Sequence, residues 1–171
     1  MRFNVFWYVV HVKLNRASKL VHFFNKQEAT VAFIPKKEQW FNIKGVKDYV
    51  VRDLYPDYVF IKSQLNKEEF ERQFNNFFKT VEGFVDLLEY DEVYSLKKEE
   101  QAFFEKLFGE GDIIRHSVGS NVNRRFIANS GPLKGLEDAI VKVNRHGRFA
   151  TLKSSLFNGK FTVAIEVERS L

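Results

Sequence analysis

The sequence predicts an α+β protein in two parts, a sandwich of helices against one antiparallel sheet followed by a small β-barrel. Three observations lead there. Up to about residue 108, β-branched and aromatic runs alternate with stretches whose apolar residues recur at helical spacing. Residues 109–121, GEGDIIRHSVGSN, drop that pattern, and three glycines among small polar residues read as a linker. Beyond it lie only short strand-like segments separated by turn signals.

The elements follow in order. VFWYVVHV (5–12) reads as a buried strand. Ala17, Leu20, Val21 and Phe24 then make one apolar helix face, with Asn15 or Ser18 as its cap. VAFIP (31–35) is a second strand, stopped by Pro35. Residues 36–47 are polar and rich in lysine (Lys36, Lys37, Lys44, Lys47) around Gly45, and read as a loop or hairpin tip. DYVV (48–51) and DYVFI (57–61) are strands joined through Leu54-Tyr55-Pro56. Phe70, Phe74, Phe77 and Val81 share a second helix face, ended by Gly83 and followed by a short strand, FVDLL (84–88). A third helix runs from about Leu96 to Phe108. Ser95 is its cap, Glu99 and Glu100 suit its positive end, and Phe103, Phe104 and Leu107 form its apolar side. The order is β-α-β-β-β-α-β-α. After the linker, segments 125–129, 139–145, 149–157 and 160–168 are β-like. Asn158-Gly159 and His146-Gly147 mark turns, and the whole suggests an SH3-like barrel.

Composition narrows the function. The chain has 171 residues, 44% apolar and 29% charged, with no cysteine, so a disulfide scaffold, a cysteine-based zinc finger, an iron–sulfur site and a thiol nucleophile are out. The apolar run Val5–Val10 is far too short to span a bilayer, and a soluble cytoplasmic monomer with no membrane partner is expected. His11, His22, His116 and His146 lack metal-site spacing, and no phosphate-loop or nucleophile-elbow motif is present. In SGPLKG (130–135) the glycines read as shaping a turn. No catalytic residue, cofactor or metal is assigned, and an enzyme is not expected. Charge points elsewhere. Residues 121–171 carry 9 Lys+Arg against 4 Asp+Glu, which accounts for the chain's net +5 and suggests a polyanionic partner.

Three stretches together resemble the NusG family of transcription elongation factors. They are Trp7-Tyr8-Val9-Val10 on the opening strand, Leu54-Tyr55-Pro56-Asp57-Tyr58-Val59-Phe60, and Ser130-Gly131-Pro132-Leu133-Lys134-Gly135-Leu136-Glu137. The resemblance implies an N-terminal NGN domain over residues 1–108, a linker over 109–121 and a KOW domain over 122–171. The last stretch, with Lys142 to His146 and Arg148-Phe149-Ala150 after it, looks most like the LoaP-type paralogues, regarded as processive antiterminators. Departures from the family pattern include Asp57 for the usual glycine, Asn15-Arg16-Ala17-Ser18 before the first helix, and Asn123-Arg124 for a Gly-Asp pair.

What the resemblance implies is an aromatic patch of Tyr8, Tyr55, Pro56 and Tyr58 docked on the clamp of RNA polymerase. Lys36 and Lys37 fall in the segment expected to give a second foothold, and Arg16, Lys19 and Lys26 are candidates to track the non-template DNA strand. On the basic domain, Arg124, Arg125, Lys134, Lys142, Arg145, His146, Arg148 and Lys153 are candidates for a hairpin RNA. Two other readings stay open. An RNA-binding module like an RRM would stack bases on strand aromatics. An adaptor would hold a ribosomal protein or termination factor on Phe126, Ile127, Phe161 and Val163.

Overall fold

A computed structural model describes residues 5–12, 15–80 and 93–168, with side chains left aside over 75–80. Its elements in chain order begin with β1 (Phe6–His11), α1 (Ala17–Asn25), β2 (Thr30–Phe33), β3 (Lys36–Ile43), β4 (Val46–Asp53), β5 (Tyr58–Ser63) and α2 (Lys67–Thr80). They continue with β6 (Tyr94–Ser95), α3 (Lys98–Phe108), β7 (Ile113–Ile114), β8 (Ser117–Val122), β9 (Arg125–Ser130), β10 (Ile140–Asn144), β11 (Phe149–Lys153) and β12 (Lys160–Val167). The chain forms two units. The first comprises Met1–Pro35 and Pro56–Gln101, the second Lys36–Tyr55 and Ala102–Leu171. The expected strand at 84–88, its flanking Gly83 and Val81, and the side chain of Phe77 lie outside the described residues. Among the described residues no helix is long and apolar enough to cross a membrane.

The first unit is an antiparallel sheet in the order β2-β5-β1-β6, with helices. On one face Tyr8, Val10, Ala32, Val59 and Ile61 pack with Leu20 and Phe24 of α1 and Phe70 and Phe74 of α2. The Tyr8 ring stacks on Phe70 at 4.0 Å, and its hydroxyl donates to the Leu65 carbonyl at 2.7 Å. Trp7, Val9, Phe33 and Phe60, on the opposite side of the pleat, are also buried. This is why residues 7–10 read as an unbroken apolar run rather than an alternation. Arg16 occupies the α1 cap position without a side-chain hydrogen bond, so neither Asn15 nor Ser18 caps the helix. Its far end is tied to β2, where Asn25 donates to the Ala32 carbonyl at 3.0 Å and accepts from the Ala32 N–H at 2.7 Å. Asn66 starts α2 by accepting the Glu69 N–H at 2.9 Å.

The second unit is mostly strand. Its five-stranded sheet runs β10-β11-β12-β8-β9, with β12 and β8 parallel and the other pairs antiparallel, curled around Phe126, Leu133, Leu152, Phe161 and Ile165. On α3, Phe104 stacks on Phe161 at 5.8 Å. A three-stranded sheet, β4-β3-β7, completes the unit.

Three sequence expectations change here. Residues 36–47 are chiefly a strand, β3, followed by a two-residue turn in which Lys44 and Gly45 have φ of 52° and 81°. None of its residues is buried, and its apolar residues Trp40, Phe41 and Ile43 do not alternate with polar ones, so the alternation that marks a strand is missing. Residues 109–121 are not a bare linker, because they include β7, which pairs parallel with β3, and most of β8. Gly119 is needed where β8 crosses β9, since a Cβ there would fall 2.8 Å from the Phe126 ring. Asn158 and Gly159 are both left-handed, as their turn signal implied. They end a longer connection over 154–159 rather than forming a two-residue hairpin.

Gly131 has φ of +95°, and a Cβ on it would meet Ser117 Cα at 2.6 Å. Gly131→Ala should therefore lower stability by more than about 1 kcal/mol, read as a fall in Tm. Burial, with Glu69 and Glu71 nearby, pushes the Tyr8 hydroxyl up from 10.0 to about 12. Its neutral form is favoured in the fold, so this contribution to stability is complete below pH 10 and is lost as pH rises toward 12. Denaturant titrations at stepped alkaline pH should show that loss in the natural chain and a shallower one in Tyr8→Phe. At neutral pH the same variant should cost about 1 kcal/mol for the missing hydrogen bond.

Candidate nucleic-acid interface

Pairing of Val122 with Arg125 leaves Asn123-Arg124 as the whole β8–β9 turn, with φ of 52° and 66°. A two-residue turn with both residues left-handed matches the right-handed twist of a hairpin, and its second position ordinarily goes to glycine. An arginine there costs roughly 1–2 kcal/mol of backbone strain. Strain of this kind tends to sit at functional sites.

Arg124 lines a groove of about 480 Å³, shared with Arg125 of β9, Lys142 of β10 and Arg145 just beyond β10. Its floor includes the buried Phe126, and its rim the exposed Val141, which sits at an irregularity in the β10–β11 register. Two carboxylates also line it. Asp138 is ion-paired with Arg125. Glu137 accepts from the backbone N–H of Gly135 at 2.7 Å and of Ala128 at 3.2 Å. Desolvation raises its pKa, but hydrogen bonds from its own N–H and those of Ala128 and Gly135, with Lys106 nearby, outweigh this and hold it below the ordinary value. Glu137 is thus an ionised clamp on the 131–136 loop, while Arg124, Lys142 and Arg145 bring positive charge to the opening. The sequence reading overlooked Glu137. Its signal was a glutamate two residues past a turn glycine, placed to accept that glycine's N–H.

The other basic candidates disperse. Lys134, His146 and Lys153 are exposed but do not line the groove. Arg148 is taken up, its guanidinium 3.8 Å above the Trp40 ring. Lys36 pairs with Asp53, its cross-strand partner, at 2.8 Å. Lys37 donates to the Thr162 carbonyl at 2.9 Å and hydroxyl at 2.7 Å, and burial pushes its pKa down. Arg16 and Lys26 flank α1 at its two caps, and Lys19 is exposed in its first turn.

Of the four residues expected in the aromatic patch, Tyr8 is not at the surface. Tyr8 lies in the core with 1% of its surface exposed, because the apolar run of β1 is buried on both faces. Tyr55 belongs to the second unit, where its ring stacks on Phe157 at 5.1 Å and its hydroxyl accepts from Asn158 at 3.0 Å. Pro56 is exposed and Tyr58 half-exposed, the latter stacked on the exposed His11 at 4.5 Å. Between them Asp57 takes φ of +66°, the conformation the family's glycine reaches more easily, and its carbonyl accepts the Val12 N–H at 2.7 Å.

The same burial bears on the other two readings. The strand aromatics Trp7, Phe33 and Phe60 are at most 8% exposed, which leaves them no base-stacking platform of the RRM kind. Of the four apolar residues expected on an adaptor surface, Phe126, Phe161 and Val163 are core, and only Ile127 is exposed.

Comparison with known proteins bears on somewhat more than half of the chain. The family model described as "Transcription termination factor nusG" matches residues 6–105. No curated protein matches the chain. The matched span runs from the start of β1 well into α3 and holds both the buried opening strand and the Pro56–Tyr58 turn. Proteins of this family are transcription factors rather than enzymes, act in elongation and generally bind RNA polymerase. With more than half its length matched and a curled, mostly strand unit following the sheet-and-helix unit, this chain belongs to the NusG family.

Proposed function

We propose that the chain is a processive antitermination factor that docks on RNA polymerase through its first unit and grips a folded RNA hairpin in the groove of its second. In this reading residues 122–171 serve as a LoaP-like KOW domain. The observation that carries it is the convergence of Arg124, Arg125, Lys142 and Arg145 on one groove, with Arg124 kept in a strained turn where glycine would be easier. The groove's one aromatic side chain, Phe126, is buried, so recognition rests on phosphate contacts and helix shape rather than on stacking. Pro56 and Tyr58, beside His11, are the surface that meets the polymerase clamp. Arg16, Lys19 and Lys26 face the non-template strand. Binding a closed clamp more tightly than an open one would disfavour pausing and termination.

The test is in vitro transcription through an intrinsic terminator, with and without the operon's own leader RNA. Readthrough that requires the leader supports the reading, and readthrough indifferent to it counts against the groove. Arg124→Gly should separate function from fold. Relief of the left-handed arginine, less glycine's extra chain entropy, should raise stability by about 0.5–1 kcal/mol. Hairpin binding should weaken, with the salt dependence of affinity reduced by about one charge. Mobility shifts at several salt concentrations read both. Tyr58→Ala should weaken polymerase capture about tenfold or more while leaving hairpin affinity unchanged, and equal capture would remove Tyr58 from the interface.

A further inference from the structure

A second cleft of the same unit, also about 480 Å³, is built differently from the groove. Its floor is apolar, from the buried Leu54, Phe157 and Phe161, and the half-exposed ring of Tyr55 forms part of its wall. Two ammonium groups, Lys37 and Lys160, line it together with threonines and Asn158, and no carboxylate does. Among the described residues the Lys37 ammonium is bound by Thr162, through one carbonyl and one hydroxyl, and neither contact neutralises its charge. Lys160 is exposed at the start of β12. The cleft therefore has an aromatic wall, an apolar base and two positive charges with no carboxylate among the described residues that line it.

The backbone beside it is strained. Phe157, Asn158 and Gly159 are three successive left-handed residues, with φ of 55°, 58° and 97°. A buried phenylalanine in that conformation is an outlier, and outliers of this kind gather at ligand clamps. The turn has a local result, since it sets Phe157 under the Tyr55 ring and Asn158 against its hydroxyl. Tyr55 is thereby held at the edge of the cleft.

We propose that this cleft binds a single unpaired nucleotide, its base stacked against Tyr55 and its phosphate held by Lys37 and Lys160. A volume of about 480 Å³ admits a nucleoside monophosphate. Stacking on an aromatic ring tolerates any base, and a phosphate supplies the missing counter-charge. Burial already holds the Lys37 pKa down, so an anion beside it would restore the charged form. The inference stands on geometry separate from the groove and from polymerase docking. Free nucleotides and unpaired positions of a strand share this chemistry, and the experiment separates them.

The full chain is titrated calorimetrically with adenosine 5′-monophosphate, adenosine, inorganic phosphate, a single-stranded pentanucleotide and a poly-glutamate peptide. Expected is binding of the monophosphate, with adenosine and phosphate each weaker. Tyr55→Leu should weaken it about tenfold through lost stacking. Lys160→Gln, an exposed change that spares the fold, should weaken it about threefold. Lys37→Met, checked for folding by circular dichroism, should weaken it further. Tighter binding of the pentanucleotide with the same variant sensitivity makes a strand the source, and equal or weaker binding makes it the free nucleotide. No binding at millimolar monophosphate overturns the proposal, as does affinity unchanged in Lys160→Gln and Tyr55→Leu. Phosphate or poly-glutamate binding as well as the monophosphate also overturns it, because the base then contributes nothing. Hairpin binding by Arg124→Gly is unaffected by any of these results, so a failure here is distinct from a failure of the groove.

Discussion

β1 has no polar face, and the first unit is organised around that constraint. Trp7, Tyr8, Val9 and Val10 are all at most 3% exposed, so both sides of the strand must be covered. The Tyr8 side is covered by α1 and α2, whose apolar positions recur at the spacing a helix needs to lie along a sheet. Tyr8 carries a polar tip into that core, and its hydroxyl finds the Leu65 carbonyl. With residues 7–10 buried on both sides, the described part of the sheet leaves its strand ends open to contact. This places Pro56, Tyr58 and His11, at one end of the β1–β5 pair, among the few aromatic or apolar side chains left to act outward.

The second unit meets the same limit with turns. Its interior is filled by Phe126, Leu152, Phe161 and Ile165, and its exposed chemistry sits at the ends of its strands. The β8–β9 turn sets Arg124 at the groove, and the turn after β10 adds Arg145. The carboxylates nearby do not cancel this charge uniformly. Glu137 is committed to two backbone N–H groups and Asp138 to Arg125, so three cations remain to define the groove's sign. Left-handed residues recur at both clefts, in the Asn123-Arg124 turn and in the 157–159 turn. In each, backbone strain holds a side chain in a position that an easier turn would not provide.

The hairpin β3–β4 shows how far a segment's role can depart from its place in the chain. Residues 36–55 lie between two parts of the first unit in sequence and belong to the second in space. The attachment is largely polar. Lys37 bonds Thr162, Tyr49 donates to the Ile165 carbonyl at 2.8 Å, and Glu38 accepts the His116 N–H at 2.8 Å. Polar attachment leaves no apolar periodicity, which is why the segment reads as a loop in the sequence.

Local pattern determined a good deal from the sequence alone. The helices α1 and α3 and four strands of the curled sheet, β9 to β12, follow from apolar spacing and turn residues, because periodicity reports directly which side of an element avoids water, whereas β8 lies in a stretch that reads as a linker. Three ordered motifs were enough to point to the family. The sequence could also place positive charge in the last third of the chain. Only the tertiary structure decided which charges are available. Arg148 is drawn onto Trp40 and Lys37 onto Thr162, a partner 125 residues away. Tyr8 and Tyr55 look alike in sequence, yet one is buried in a core and the other is held by a loop of the second unit. Spacing describes one element at a time, whereas burial and pairing depend on which distant segment comes to lie against it.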